Sequence, residues 1–311
     1  MPKCPTPLIN APKSSKIIAV LGVGVLAVST AAIWIRLAIS SAGVSGVGFS
    51  LVLAASRLTL ASLLLIPTWH RVPWRQISRS AIVYALAAGV FLAVHFATWI
   101  TSLSYTSIAA ATTLVTSNPL WVTLLSWLWF GEKQTFRTVL GIAIALTGGI
   151  LISVGGTAQT ATASNPLLGN FLALVGAWTV SFYLLLGREA QRQGLGLGGY
   201  GIVAYGSAAL VLLPLPGLFG ASYAGFPPVV YFYILMTALL PQLVGHTSIN
   251  WAVRWVSPTL ITLMILFEPV CASILGYWIF GEVPTFWVLV GAVVLLMGVA
   301  IAALGARSRS G

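Results

Sequence analysis

The strongest constraint on this chain is the lack of charge along almost its whole length. Apolar stretches of membrane-spanning length follow one another from Ile17 to about Gly305. Charged residues are only 6% of the chain, there is no Asp, and the four Glu are Glu132, Glu189, Glu268 and Glu282. A soluble protein carries roughly 25% charged residues. Without such a surface this chain cannot stay dispersed in water, so its solvent is lipid. A spanning helix takes about 20 residues. Polar or Gly/Pro-rich breaks divide the sequence into ten such segments, near 17–40, 49–67, 80–101, 106–129, 137–155, 167–187, 199–219, 229–251, 257–279 and 286–305. These use up the 311 residues and leave no room for a sizeable soluble domain. The predicted fold is an all-α integral membrane protein of ten transmembrane helices.

The positions of the charges set the orientation. A net charge of +11 invites a nucleic-acid reading. However, Lys3, Lys13, Lys16, Arg71, Arg75, Arg79, Lys133, Arg137, Arg188, Arg192, Arg254, Arg307 and Arg309 all fall on the same side if the N-terminus is cytoplasmic. The opposite loops, including 156–166 and 220–228, carry no Lys or Arg, and the remaining two basic residues, Arg36 and Arg57, lie inside helices. This is the positive-inside pattern of a plasma (inner) membrane protein with both termini cytoplasmic, and it removes the case for nucleic acid. The segment from Ile17 to Ser40 lacks an A-x-A-like cleavage site, so it reads as a retained first helix. Cys4 in a polar tail and Cys271 in an apolar segment do not make a disulfide framework.

An internal repeat divides the chain. A shift of 150 residues brings Ser107 onto Ser257, Thr112 onto Thr262, Pro119 onto Pro269 and Leu125 onto Leu275. It also aligns Phe130-Gly131-Glu132 with Phe280-Gly281-Glu282, Thr135-Phe136 with Thr285-Phe286, and Gly141, Leu146 and Gly148 with Gly291, Leu296 and Gly298. The predicted organisation is a tail over 1–16, a first five-helix repeat over 17–155, an external linker over 156–166, a second repeat over 167–305 and a tail over 306–311. Five is odd, so the second repeat enters the membrane from the opposite side. Inverted repeats are a construction of secondary transporters, and they also occur in channels.

Several motifs resemble one family. Each fourth helix carries an N-P or E-P step, Asn118-Pro119 and Glu268-Pro269, with a Gly-Glu twelve residues after the proline. The stretches His95-Phe96-Ala97-Thr98-Trp99-Ile100 through Pro119, and Gly245-His246 through Pro269, are similar to one branch of it. So is Arg57 within Ser56-Arg57-Leu58. Together they resemble EamA-type members of the drug/metabolite transporter superfamily over nearly all of residues 17–305. The resemblance implies ten helices, cytoplasmic termini, a central cavity between the halves, and export of metabolites or amino acids in many members. The sequence departs from that pattern at Asn118, where many members carry Glu. A role needing two symmetric carboxylates is therefore not supported.

Ionisable and polar residues at membrane depth mark the candidate site, because lipid tolerates them only against protein or water. Glu268 is the only acid deep in a span. It reads either as the carboxylate that takes and gives a proton in coupled transport or as a brace for the loosened backbone at Pro269. His95 and His246 are near-counterparts in the two repeats. Gln242, His246 and Asn250 share a helical face by their spacing of four, as do His95, Trp99 and Ser102 by spacings of four and three. These residues read as substrate-binding groups or as interhelical hydrogen bonders. Pro119 and Pro269 each free a carbonyl near mid-span. Thr112, Thr116, Ser117, Asn118 and Thr262 crowd the same depth, which places the predicted site between the fourth and ninth helices. Trp34, Trp99 and Trp178 are candidates to wall it. Arg57 reads as a structural or charge-balancing residue. Glu132 and Glu282 end their helices at opposite faces as caps or gate contacts.

Rival classes are weaker. Gly43-Val44-Ser45-Gly46 is similar to the rhomboid-protease nucleophile motif, but Ser45 falls in a loop and rhomboids lack this repeat. No H-E-x-x-H, paired Asp or ATP-binding loop is present, and no Asp or Cys stands at ligand spacing beside either His. The expectation is no cofactor and no metal. A small-molecule substrate, protons and lipid are the partners, and the oligomeric state is open. The function expected is secondary active export of small organic metabolites, amino acids or related compounds, coupled to protons. A passive facilitator on the same scaffold is the main alternative, and an intramembrane enzyme a remote one.

Overall fold

The computed structural model describes residues 12–130, 135–155, 164–255, 261, 264–265 and 267–307, and every regular element among them is helical. Glu132, Thr262 and most of the linker over 156–166 lie outside the described residues. In the first half come α1 (Ser14–Ser29), α2 (Ala31–Ala42), α3 (Val47–Leu65), α4 (Arg79–Ser102), α5 (Ile108–Val115), α6 (Asn118–Phe130) and α7 (Phe136–Gly155). In the second come α8 (Pro166–Arg192), α9 (Leu197–Leu212), a short α10 (Leu215–Leu218), α11 (Pro228–Thr237), a π-helical stretch over Ala238–His246, α12 (Thr247–Ala252), α13 (Glu268–Phe280) and α14 (Phe286–Arg307). Among the described residues six stretches are long and apolar enough to cross a membrane: Ser14–Ala42, Val47–Arg71, Arg79–Ser102, Pro166–Arg192, Leu197–Leu218 and Pro228–Ala252. Shorter apolar helices run over Phe136–Ile152, Glu268–Phe280 and Phe286–Ala302.

Local chemistry starts and stops these helices. Ser78 caps α4 by accepting from the Ala81 amide at 3.2 Å, and Ser107 caps α5 by accepting from Ala110 at 3.2 Å. Asn165 accepts from Leu168 at the start of α8, with Pro166 in the first turn where its missing N–H costs nothing. The segment expected as one span over 106–129 is two helices, α5 and α6, parted at Thr116-Ser117 just before Asn118-Pro119. The proline cannot donate to the preceding turn and disfavours helical geometry at the residue before it, so the chain restarts there. Pro269 occupies the same place in the first turn of α13.

The two halves cross-pack rather than stand side by side. The closest pairing is α7 against α14, one helix from each half. A Cβ on Gly141 would lie 2.3 Å from the Ala302 amide nitrogen and 2.6 Å from the Gly298 carbonyl oxygen; on Gly148, 2.3 Å from Leu295 N and 2.7 Å from Gly291 O. Gly141 thus faces Gly298, and Gly148 faces Gly291. With the offset of 150, each contact is the image of the other when the halves exchange. The helices are antiparallel, as an approximate two-fold relation between the halves requires. The same exchange relates α4 on α8 to the π-helical stretch on α1, and it maps the contact of α3 with α9 onto itself.

Candidate functional site

At the junction of the halves lies a cavity of about 60 Å³. Its polar walls are Arg57 from α3, His95 and Trp99 from α4, Thr116 and Asn118 at the α5–α6 break, His246 from the π-helical stretch and Glu268 at the start of α13. The helix breaks put polar groups here. Asn118 and Glu268 each open a helix beside a proline, and Pro241 lies within the π-helical stretch that ends at His246.

Arg57 is fully buried, and a charged Arg at such depth costs ~2.5–3.5 kcal/mol even on insertion scales. Three features offset that cost. Its Nε donates to Gln242 Oε1 at 2.9 Å, its guanidinium lies 4.1 Å from the centre of the Phe96 ring, and Glu268 lines the same cavity. Its Nη1 and Nη2 have no hydrogen-bond partner among the described residues, nor do Trp99 Nε1 and Asn118 Oδ1. Glu268 is half-buried, and its side chain forms no ion pair among the described residues. His95 Nδ1 donates to the Gly176 carbonyl at 2.9 Å, which leaves Nε2 as an acceptor in the neutral ring, and the ring stacks parallel to Trp99 with centroids 6.0 Å apart. His246 meets Phe96 and Tyr183 edge-on.

The structure brings His95, Trp99, Thr116, Asn118, His246 and Glu268 to one cavity, together with Arg57. Gln242 stands behind the wall as the anchor of Arg57. Asn250 points inward from the same helix but serves a buried network, donating to Tyr183 OH at 2.6 Å and Tyr205 OH at 3.3 Å. Ser102 and Thr112 spend their hydroxyls on the carbonyls of Trp99 and Ile108 in their own helices and do not reach the cavity. Neither of the other two tryptophans lines it. Trp34 packs on Phe232 and Tyr233, and Trp178 is 42% exposed on an outer face against Phe182. Pro119 and Pro269 sit at the helix starts beside the cavity rather than within unbroken helices. Glu282 lies at the other end of α13 in an ion pair with Arg36. The buried tyrosines Tyr183, Tyr200 and Tyr205 were not singled out from the sequence. Three hydroxyl-bearing rings within one pair of apolar helices are the sequence signal that would have found them.

A bundle of membrane-crossing helices, built from two exchange-related halves that enclose ionisable groups at their junction, defines a membrane transport protein. The chain belongs to the EamA-like transporter family, which matches residues 14–154 and again 167–304. It is 26% identical over 288 residues, covering 92% of this chain and 93% of the relative, to a Streptantibioticus cattleyicolor protein named "Probable terminal-alkyne amino-acid exporter". It is also 26% identical over 219 residues, 70% of this chain and 75% of the relative, to an "Uncharacterized transporter" of Archaeoglobus fulgidus. One solved crystal structure has the same fold, with a TM-score of 0.60, 18% identity, and coverage of 96% of this chain and 100% of that one. The chain is a multi-pass membrane transporter of the drug/metabolite type and not an enzyme.

Proposed function

We propose that this transporter exports small organic metabolites, amino acids or related compounds, across the plasma (inner) membrane by alternating access coupled to the proton gradient. In this reading ten spans form two inverted five-helix repeats with both termini cytoplasmic, α5 and α6 together making the fourth span. The observation that carries it is the pair of opposite ionisable groups facing one cavity, Arg57 with two unpartnered Nη atoms and Glu268. A zwitterion matches them: its carboxylate takes the guanidinium fork, and its ammonium takes the Glu268 carboxylate. Asn118 Oδ1 and the Trp99 N–H supply an acceptor and a donor beside them.

Coupling follows from competition. A proton and a substrate ammonium seek the same carboxylate, so arrival of one releases the other, and an inward proton gradient drives the substrate outward. At ~10–15 Å³ of such space per water, the cavity holds several waters but no metabolite. The halves therefore part to load it, and their approximate two-fold relation supplies two equivalent ways of parting. The relative named as an amino-acid exporter, aligned over 92% of this chain, supports the substrate class.

The test is efflux of a panel of amino acids and related metabolites from proteoliposomes, with and without an imposed proton gradient. Substrate-selective, gradient-stimulated flux above protein-free vesicles is the expected result. Panel-wide silence, or gradient-independent flux, would overturn active export; the second outcome leaves a facilitator.

A further inference from the structure

A second charged cluster lies away from the cavity and joins the halves. Arg36 on α2 is 5% exposed, and its Nη1 donates to Glu282 Oε1 at 2.7 Å. Its Nη2 donates to the Thr106 carbonyl at 3.0 Å in the turn between α4 and α5, while its Nε has no partner among the described residues. Glu282, with a side chain 10% exposed, uses Oε2 to accept from the Ile108 amide at 3.0 Å, at the first turn of α5. Gly281 makes this reach possible: at φ +66° it closes α13 in the left-handed conformation and turns the chain back toward α2. One carboxylate of the second half is thus fastened to two elements of the first.

Three chain segments lead from the cavity to this cluster. Arg36 is five residues beyond Ala31, Ile108 eight before Thr116, and Glu282 fourteen beyond Glu268, where Ala31, Thr116 and Glu268 all line the cavity. At 1.5 Å per helical residue these separations run to roughly 8–20 Å, all toward the same face. Beneath the pair is a void of about 10 Å³ bounded by Ser107, Ser273 and Glu282, with room for about one water. A Cβ on Gly276 would meet Ile108 at 3.5 Å, so α5 and α13 close the same side by contact. The only other ion pair among the described residues, Arg192 with Glu189 at 3.9 Å, is exposed, lies within one helix and joins nothing.

We infer that Arg36 and Glu282 form the external gate of the transport pathway, a latch closed here that parts when the cavity opens to the outside. The inference rests on the alternating-access reading. A surface ion pair would contribute little, but this one is desolvated and shares three hydrogen bonds, so its loss shifts an equilibrium between closed and open halves. Arg36 and Glu282 act by positioning the halves and do not touch the substrate.

The experiment uses Val115→Cys, a cavity-lining position, in a Cys4→Ser, Cys271→Ser background. Its reaction with a membrane-impermeant methanethiosulfonate is timed from each face of the membrane. Glu282→Gln is expected to raise the outside rate about tenfold and leave the inside rate level or lower, as for a population shift between two states. Glu282→Asp, which keeps the carboxylate, is expected to bring the outside rate back toward the parent. An unchanged outside rate in a monodisperse Glu282→Gln protein would overturn the gate. So would an equal rise from both faces, which marks general loosening. Labelling needs no substrate, so its outcome is separate from the flux assay that tests transport itself.

Discussion

Arg57 shows how much one side chain in lipid requires of its neighbours. Its charge in the middle of an apolar span was legible at once, because nothing else in that segment is ionisable. Its partner was not legible: Gln242 is 185 residues away in the other half, and only the crossing of α3 with the π-helical stretch joins them. The orientation of the tryptophans was illegible for a related reason. Helices buried on several sides and lipid-facing on the rest are apolar all round, so no periodicity tells Trp99 in the cavity from Trp178 on the outer face. Arg57→Lys tests the role of the guanidinium. Lysine keeps the charge but loses the planar fork, the Gln242 bond from Nε and the stacking on Phe96. Transport in proteoliposomes is expected to fall at least about tenfold, chiefly as a raised KM, with thermal stability in detergent nearly unchanged. Full retention of KM would remove Arg57 from the site.

At the scale of elements, the prolines and glycines were the most informative residues, though not always in the way their positions implied. Asn118-Pro119 was visible as a disturbance of the fourth apolar segment. That it ends one helix and begins another follows from the restriction proline places on the residue before it. The π-helical stretch around Pro241 left no sequence mark beyond the proline itself. Gly141, Gly148, Gly291 and Gly298 were legible as repeat-related positions, but their mutual contact required the two-fold arrangement. They let α7 and α14 approach until backbone meets backbone. Gly148→Val places its Cβ at 2.3 Å from Leu295 N, where no side-chain motion relieves the clash. The expected cost is at least the ~1–3 kcal/mol of overpacking, seen as a lower Tm and loss of a monodisperse peak. Gly22→Ala on α1 meets nothing within 4 Å and is expected to be neutral or slightly stabilising. Equal Tm values for the two variants would contradict the helix pairing.

For the whole molecule, the near absence of charge dictates a lipid solvent, and the repeat dictates how a membrane chain of this size encloses anything. The cavity belongs to neither half alone. Arg57, His95 and Asn118 come from one and His246 and Glu268 from the other, so the site exists only where the halves meet. The sequence carried the residue types and their depth, and even the near-correspondence of His95 with His246. It also carried the break of symmetry that sets Glu268 against Asn118, one acid against one amide; what it did not carry is that Arg57 faces the same cavity. In the proposed mechanism the single Glu268 carboxylate is the group that exchanges a proton for a substrate. The measurement closest to this claim is substrate efflux from proteoliposomes under an imposed proton gradient, wild type against Glu268→Gln. The glutamine keeps the shape and hydrogen-bonding reach but cannot carry the proton. Wild type should move substrate against its gradient, while the variant should lose that accumulation and keep at most downhill exchange. Uphill transport by Glu268→Gln equal to wild type would contradict the account.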